Sequence, residues 1–119
     1  MLCRSGPKRT SLTGVKKLVG AGVFVRHDPN DYVEQLRTES LSVGTYSIPV
    51  GGVDNQAPHH EEEIYVVTTG RATFVTPSGS ELVGPGDVLF VPAEEEHRFT
   101  DVTEDLALLV FFAPPYSGR

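Results

Sequence analysis

Residues 57–70 read Ala-Pro-His-His-Glu-Glu-Glu-Ile-Tyr-Val-Val-Thr-Thr-Gly, so that two histidines and three glutamates run directly into an apolar, β-branched segment. Alternate side chains of an extended strand share a face, which places His59, Glu61 and Glu63 on one face and His60 and Glu62 on the other. Imidazole and carboxylate groups are typical ligands of divalent metals. The stretch therefore predicts a β-strand with a candidate metal site at its beginning.

A second stretch carries another histidine beside carboxylates. Residues 86–101 read Gly-Asp-Val-Leu-Phe-Val-Pro-Ala-Glu-Glu-Glu-His-Arg-Phe-Thr-Asp. This order predicts a strand, a turn that contains Pro92, and then His97 at the beginning of the next strand. His97 is therefore a candidate ligand of the same metal.

Together the two stretches resemble the motifs of the cupin family. The first family motif, G-x5-H-x-H-x(3,4)-E-x6-G, is matched by Glu63 and Gly70, with His59 at the second histidine and Ala57 at the first. A shifted alignment makes His59 the first ligand and Glu61 a replacement for the second. A bulge before the strand would instead exchange the roles of His59 and His60.

The second family motif, G-x5-P-x-G-x2-H-x3-N, is matched by Gly86, Pro92 and His97. Glu94 occupies the position of its second glycine, and Asp101 that of its asparagine. The resemblance covers roughly residues 41–114. It implies a metal site made of His59, Glu61, Glu63 and His97, and a double-stranded β-helix, the jelly-roll barrel of a single cupin domain.

The rest of the pattern agrees with an all-β fold, since turn residues recur at intervals of about 8 to 12 residues without a helical period. At least seven short strands are expected, whereas residues 32–38 are interpreted as a helical turn or loop. The segments expected as strands are 23–25, 40–48, 64–69, 71–76, 81–83, 88–91, 98–102 and 106–113.

Charge is distributed unevenly along the 119 residues, whose formal net charge is −6. Five of the ten basic residues lie before position 18, so residues 1–17 are interpreted as a flexible basic arm and residues 18–119 as the cupin domain. The body after the arm has five basic and sixteen acidic residues, which argues against a nucleic-acid groove there. Cys3, the single cysteine, receives no role.

No segment has the length and apolarity of a membrane span, and no secretory signal is recognisable, so a cytoplasmic protein without a membrane partner is expected. The run Leu106 to Phe112 is apolar on both faces, and Ile64 and Val66 face away from the predicted interior. A homodimer that packs these outer faces together is therefore expected. Dimers of this kind are also common among cupins.

The site predicts a divalent metal cofactor, which could be iron, manganese, zinc or nickel. The candidate catalytic residues are Glu61, as an acid or base if it is not a ligand, and Tyr65, which faces the same interior. The first hypothesis is an enzyme for a small organic substrate, with dioxygenase-type oxidation slightly ahead of isomerase or lyase chemistry. The alternative is a non-catalytic cupin that binds or senses a small ligand or metal.

Overall fold

Six antiparallel strands form the chain's architecture in a computed structural model that describes residues 14–118. Most of the predicted basic arm, together with Cys3, lies outside the described residues. The predicted all-β class is confirmed, and the described residues include no helix that could cross a membrane. The strands are β1 Asp31–Arg37, β2 Ser42–Ile48, β3 Glu62–Thr76, β4 Gly79–Val83, β5 Val88–Val91 and β6 Arg98–Ala113.

The central strand of the sheet is β3, which pairs with β6 on one side over most of its length. On its other side β3 pairs first with β5 and then with β4. The sheet continues from β6 through β2 to β1 at the edge. The beginning of β3 thus lies between β5 and β6, which is the region where the two sequence motifs meet.

Both long strands are continuous where two separate strands were expected. The predicted segments 64–69 and 71–76 form one strand, β3, and 98–102 and 106–113 form one strand, β6. Their pairing shifts register three times between Val67 and Thr73, so the ladder bends without ending. Gly70 lies at this bend with a φ of 90°, and a Cβ there would lie 2.2 Å from the carbonyl oxygen of Asp105. The glycine that suggested a turn therefore allows a close crossing of β3 and β6.

The alternation of β3 follows the predicted parity. Glu63, Tyr65 and Val67 are buried, whereas Glu62 and Ile64 are exposed. The buried side chains of β6 complete the interior opposite them, and these are Phe99, Val102, Leu106, Leu108, Val110 and Phe112. The metal-binding candidates and the hydrophobic core therefore share one interior.

The outer face of the sheet is partly covered by the described N-terminal residues. The backbone NH of Gly22 donates a hydrogen bond to Thr45 Oγ1 at 2.8 Å, and the Gly22 carbonyl accepts one from Thr68 Oγ1 at 2.6 Å. The NH of Val25 bonds to Ser47 Oγ at 3.0 Å. Because these bonds go to side chains and not to a backbone ladder, residues 23–25 are not a strand, and that prediction is wrong.

The edge strand β1 replaces the predicted helical turn or loop at residues 32–38. Its register shifts between Glu34 and Leu36, which interrupts the alternation of inward and outward side chains. Most of its side chains are polar or half-buried. A polar edge strand with a bulge lacks the period-two pattern by which strands are recognised, and this explains the wrong prediction.

Candidate metal centre

Three predicted ligands converge inside the fold. His59 lies in the loop three residues before β3, Glu63 is the second residue of β3, and His97 immediately precedes β6. His97 Nε2 lies 3.1 Å from Glu63 Oε1, and His59 Nε2 lies 3.8 Å from the same oxygen. One ligand atom from each residue lies within 4.8 Å of the other two, and all three residues are buried. This arrangement could hold one metal ion.

A backbone contact joins the two motifs beside this cluster. The NH of Glu94 donates a hydrogen bond to the His59 carbonyl at 2.7 Å. Glu94 has a φ of 67°, a backbone conformation that favours glycine. This explains why the family motif has a glycine where this chain has Glu94. The turn that Glu94 forms helps to place His97 opposite His59.

The orientation of the His97 ring is fixed by a hydrogen bond from its other nitrogen to the backbone. Its Nδ1 donates to the Glu95 carbonyl at 2.8 Å, which directs Nε2 toward Glu63. Burial lowers the pKa of His97, but contact with the Glu63 carboxylate and the Glu95 carbonyl raises it by more, so this pKa lies above its ordinary value. His97 therefore experiences a negative environment that favours a positive charge at Nε2.

The chemistry of the donor set fits a divalent cation. Glu63 Oε1 is buried and receives no hydrogen bond, and Asp54 and Glu61 are two further buried carboxylates. A buried carboxylate is costly unless a cation or hydrogen-bond donors compensate it. A proton or metal between Glu63 Oε1 and His97 Nε2 would remove the repulsion of their facing lone pairs. Two imidazoles and one carboxylate are ligands that iron, manganese, zinc and nickel accept.

A buried network links this cluster to the loop before β3. Asp54 Oδ1 accepts from the Tyr46 hydroxyl at 2.7 Å, and Oδ2 accepts from the Phe99 NH at 2.8 Å and from Gln56 Nε2 at 3.1 Å. Gln56 Nε2 also donates to the Tyr65 hydroxyl at 3.0 Å. Asp54 thus fixes the position of the loop that carries Gln56.

Tyr65 lies between Gln56 and His97. Its hydroxyl is 3.1 Å from His97 Nε2, and its side chain is fully buried. Burial and then the negative charges of Glu63 and Asp54 raise the pKa of Tyr65 well above its ordinary value. The phenol therefore stays protonated and can donate a hydrogen bond, but it is a poor base at neutral pH.

Glu61 is buried, as its parity predicts, but its carboxylate contacts the C-terminal segment. Glu61 Oε2 accepts from the Ser117 NH at 3.0 Å, while Oε1 is buried without a hydrogen-bond partner. Glu61 does not belong to the cluster of His59, Glu63 and His97. Its predicted roles as a ligand or as a catalytic acid or base stay predictions.

The C-terminal segment lies over the cluster of His59, Glu63 and His97. The Tyr116 ring stacks on Phe112, with 4.7 Å between centroids, and meets the edge of His59 at 5.4 Å. The Tyr116 NH donates to Ser42 Oγ at 2.9 Å, and its carbonyl accepts from Arg37 Nη2 at 2.6 Å. Burial and the charges of Glu61 and Glu63 raise the pKa of Tyr116. The tail thus provides one wall of the site.

A cavity of about 250 Å³ opens onto the cluster. All four tyrosines of the chain line it, and none of its lining residues is a lysine or arginine. The lining consists of Asn30, Tyr32, Tyr46, Asn55, Gln56, His59, Glu63, Tyr65, Val110, Phe112 and Tyr116. The cavity is therefore aromatic and amide-rich, with His59 and Glu63 in its wall.

The remaining acidic and histidine residues of the motifs lie outside the cluster. His60 is exposed, and its Nδ1 lies 2.5 Å from Glu94 Oε2. Glu62 and Glu96 are exposed, and Glu95 is half-buried. Between the two histidines of the first motif, the structure brings His59 and not His60 to the cluster.

Sequence reasoning missed the residues that complete the cavity. Asp54 and Gln56 lie between the segments expected as strands and received no role, and neither did Tyr32, Tyr46 and Tyr116. Gln56 had a usable signal, because it neighbours position 57, where the family motif has a histidine. The three tyrosines had none, since only the folded topology brings strand β1, strand β2 and the C-terminal tail together.

Comparison with known proteins agrees with this geometry. A family model described as a cupin domain matches residues 44–112. The chain belongs to the cupin family. The predicted jelly roll is thereby confirmed, and a jelly roll encloses the interior in which the cluster lies.

Individual cupins show how far the similarity extends. An uncharacterized protein of Streptomyces coelicolor is 41% identical over 86 residues, which cover 72% of this chain and 82% of that protein. An RmlC-like cupin of Desulfovibrio desulfuricans has a TM-score of 0.69 at 23% identity, covering 85% of this chain and 99% of its own. The DMSP lyase DddQ of Ruegeria pomeroyi has a TM-score of 0.66 at 23% identity, covering 71% of this chain and 46% of the lyase. At these identities the two structures show a shared fold.

Proposed function

We propose that this cupin is a metal-dependent enzyme that acts on a small organic substrate. The observation that carries the proposal is the convergence of His59, Glu63 and His97 beside a cavity of about 250 Å³. Ligand pockets for drug-sized molecules are generally about 300–1,000 Å³, so the substrate is smaller than these. His59, Glu63 and His97 would hold the metal, which when bound supplies a Lewis acid for a substrate oxygen.

The residues around the cluster are suited to position such an oxygen and donate a hydrogen bond to it. The Tyr65 hydroxyl keeps its proton and lies 3.1 Å from His97 Nε2. It can therefore donate a hydrogen bond to a substrate atom that approaches the metal ligands. Gln56 Nε2 donates to the same hydroxyl and fixes its position. The aromatic rings of Phe112 and Tyr116 restrict access of water from the side of His59.

This combination favours lyase or isomerase chemistry. A protonated phenol beside a Lewis acid stabilises negative charge that develops on a carbonyl or carboxylate oxygen, which both reaction classes require. The similarity in fold to a DMSP lyase is compatible with this reaction class. Dioxygenase chemistry is the second candidate, because two histidines and one carboxylate form the ligand set of many non-haem iron oxygenases.

The lining also limits the substrate's charge. The cavity offers phenol and amide groups but no lysine or arginine to pair with an anion. A divalent metal held by one carboxylate and two neutral imidazoles keeps a net charge of +1. We therefore infer a polar substrate that is neutral or carries one anionic oxygen directed at the metal.

Metal content and turnover test the proposal together. Protein purified without chelator should contain one divalent metal per chain. His97→Ala should abolish this content, whereas the matched variant His60→Ala should keep it. Small hydroxy acids, carboxylates and dicarbonyls would then be screened for elimination or isomerisation, with oxygen consumption recorded in parallel. Oxygen consumption would favour the dioxygenase. A metal-containing protein that binds these compounds without turnover would instead be a binding module, and a wild-type protein without metal would refute the proposal.

We also propose a homodimer through the outer face of the sheet. Ile64, Val88 and Phe90 are exposed apolar residues on the neighbouring strands β3 and β5. An apolar patch on adjacent strands is typical of an interaction surface. Light scattering should report a dimer at micromolar concentration that Phe90→Glu converts to a monomer. The control is Leu82→Glu, which introduces the same charge at an exposed leucine on β4. A wild-type monomer would contradict this part of the proposal.

A further inference from the structure

The side-chain amide of Gln56 lies beside the cluster of candidate ligands, although neither sequence motif includes it. Its carbonyl oxygen, Oε1, is 2.6 Å from His59 Nε2. His59 Nε2 is in turn 3.8 Å from Glu63 Oε1, which is 3.1 Å from His97 Nε2. The four atoms therefore form a continuous chain of potential metal donors.

The network around Gln56 determines which end of the amide faces the cluster. Gln56 Nε2 donates to Asp54 Oδ2 at 3.1 Å and to the Tyr65 hydroxyl at 3.0 Å. Both hydrogens of the amide nitrogen are thus used on the side away from His59. A flipped amide would place the oxygen against the Asp54 carboxylate, which is repulsive. The oxygen therefore faces the cluster.

The separations can be compared with those of atoms that share one ion. Donors bound at about 2.1 Å at right angles lie about 3.0 Å apart, and donors in a tetrahedral arrangement lie about 3.4 Å apart. The Glu63–His97 separation of 3.1 Å lies within this range. The Gln56–His59 separation of 2.6 Å is a hydrogen-bond distance and shorter than the range, and the His59–Glu63 separation of 3.8 Å is longer, so small side-chain movements would bring the four atoms around one ion. Side-chain amide oxygens bind divalent cations that accept oxygen ligands.

We propose that Gln56, and not Glu61, supplies the fourth protein ligand of the metal. This inference rests on the metal site of the proposed function. It also accounts for the first motif of this chain: position 57 holds an alanine where the family motif has a histidine, and the neighbouring residue supplies a donor in its place. Since the amide is neutral, Glu63 is the single carboxylate ligand, and the centre of a divalent metal keeps its charge of +1.

Cobalt(II) titration of the metal-free protein tests the assignment, because the visible spectrum of cobalt(II) reports the ligand set as well as the affinity. Gln56→Leu should weaken binding by about tenfold or more and change the spectrum. Gln56→Asn, which keeps the amide but withdraws its oxygen by one methylene, should do the same, and provides a second variant if Gln56→Leu does not fold. Glu61→Gln is the matched control and should leave both affinity and spectrum unchanged.

The outcomes separate this inference from the proposed function. If the wild-type protein binds no cobalt, the metal site itself is wrong and both fail. If the wild type binds cobalt and the Gln56 variants keep its spectrum, Gln56 is not a ligand while the metal site stands. A weaker affinity with an unchanged spectrum would mean that Gln56 only positions His59, and this would also overturn the assignment. A changed spectrum in Glu61→Gln would return the fourth position to Glu61.

Discussion

Asp54 should be among the most important residues for stability, although it lies in a loop. Asp54→Ala removes the acceptor for the Tyr46 hydroxyl, the Phe99 NH and Gln56 Nε2. Tyr46 and Phe99 are buried, so two donors lose their partners inside the fold. Each unsatisfied buried donor costs about 1–3 kcal/mol, and we therefore expect Asp54→Ala to lower the free energy of unfolding by about 3–5 kcal/mol.

A graded pair of variants makes this prediction specific. Asp54→Asn keeps the shape of the side chain and one acceptor oxygen, but it presents an NH₂ group to one of the donors. It should therefore lower the free energy of unfolding by about 1–3 kcal/mol. Glu81→Ala removes an exposed carboxylate from β4 and should change stability by less than about 0.5 kcal/mol.

Urea denaturation measures the three free energies, and thermal unfolding should show a shift of about 4–8 °C for each kcal/mol lost. If Asp54→Ala costs less than about 1 kcal/mol, Asp54 does not anchor the loop that carries Gln56, and our account of that loop is wrong.

Two further predictions concern the tyrosines and the bend at Gly70. Every tyrosine of the chain has a raised pKa, with burial as the largest cause. Unfolded tyrosine is half ionised near pH ~10. Alkaline spectrophotometric titration of the folded protein should therefore show little phenolate at that pH. The unfolded chain then binds fewer protons than the folded one, and stability should fall as pH rises above ~10, by up to about 1.4 kcal/mol per pH unit for each buried tyrosine. Phenolate that forms in the folded protein with the ordinary pKa would contradict the buried positions. Gly70→Ala should lower the free energy of unfolding by more than about 3 kcal/mol, because its Cβ would lie 2.2 Å from a carbonyl oxygen. Gly51 has a φ of 81° and no atom within 4 Å of such a Cβ, so Gly51→Ala should lower it by only about 1–2 kcal/mol. Equal losses in urea denaturation would show that the close crossing of β3 and β6 is not the cause.

The sequence predicted the positions of the candidate ligands well where they lie on strands or at fixed motif positions. Strand parity placed Glu63 and Tyr65 in the interior, and the motif spacing paired His59 with His97 across 38 positions of the chain. These relations depend on the two-residue period of a strand and on short turns, which a sequence records directly.

Residues whose roles depend on long-range contacts were not predictable in this way. Gln56 lies in a loop whose direction is set by Asp54, and the Asp54 carboxylate reaches the Phe99 NH from 45 positions away. Tyr116 reaches the site only because the tail after β6 is held by Ser42 and Arg37. No local pattern encodes such contacts.

The strand boundaries failed for a different physical reason. A bend at Gly70 resembles a chain reversal in the sequence, because glycine with a positive φ serves both purposes. Similarly, the bulge in β1 interrupts the alternation of side chains, so the sequence of this edge strand lacks the pattern typical of a strand. The number and limits of the strands were therefore less predictable than the faces of their residues.

Crystals of the protein soaked in a divalent metal salt, with data collected at the absorption edge of that metal, will show whether one ion binds between the three residues. We predict one anomalous difference peak per chain, bonded at about 2.0–2.2 Å to His59, Glu63 and His97. A structure that contains no such peak at saturating metal, or a peak that lacks bonds to these three residues, would show that they do not form the metal site.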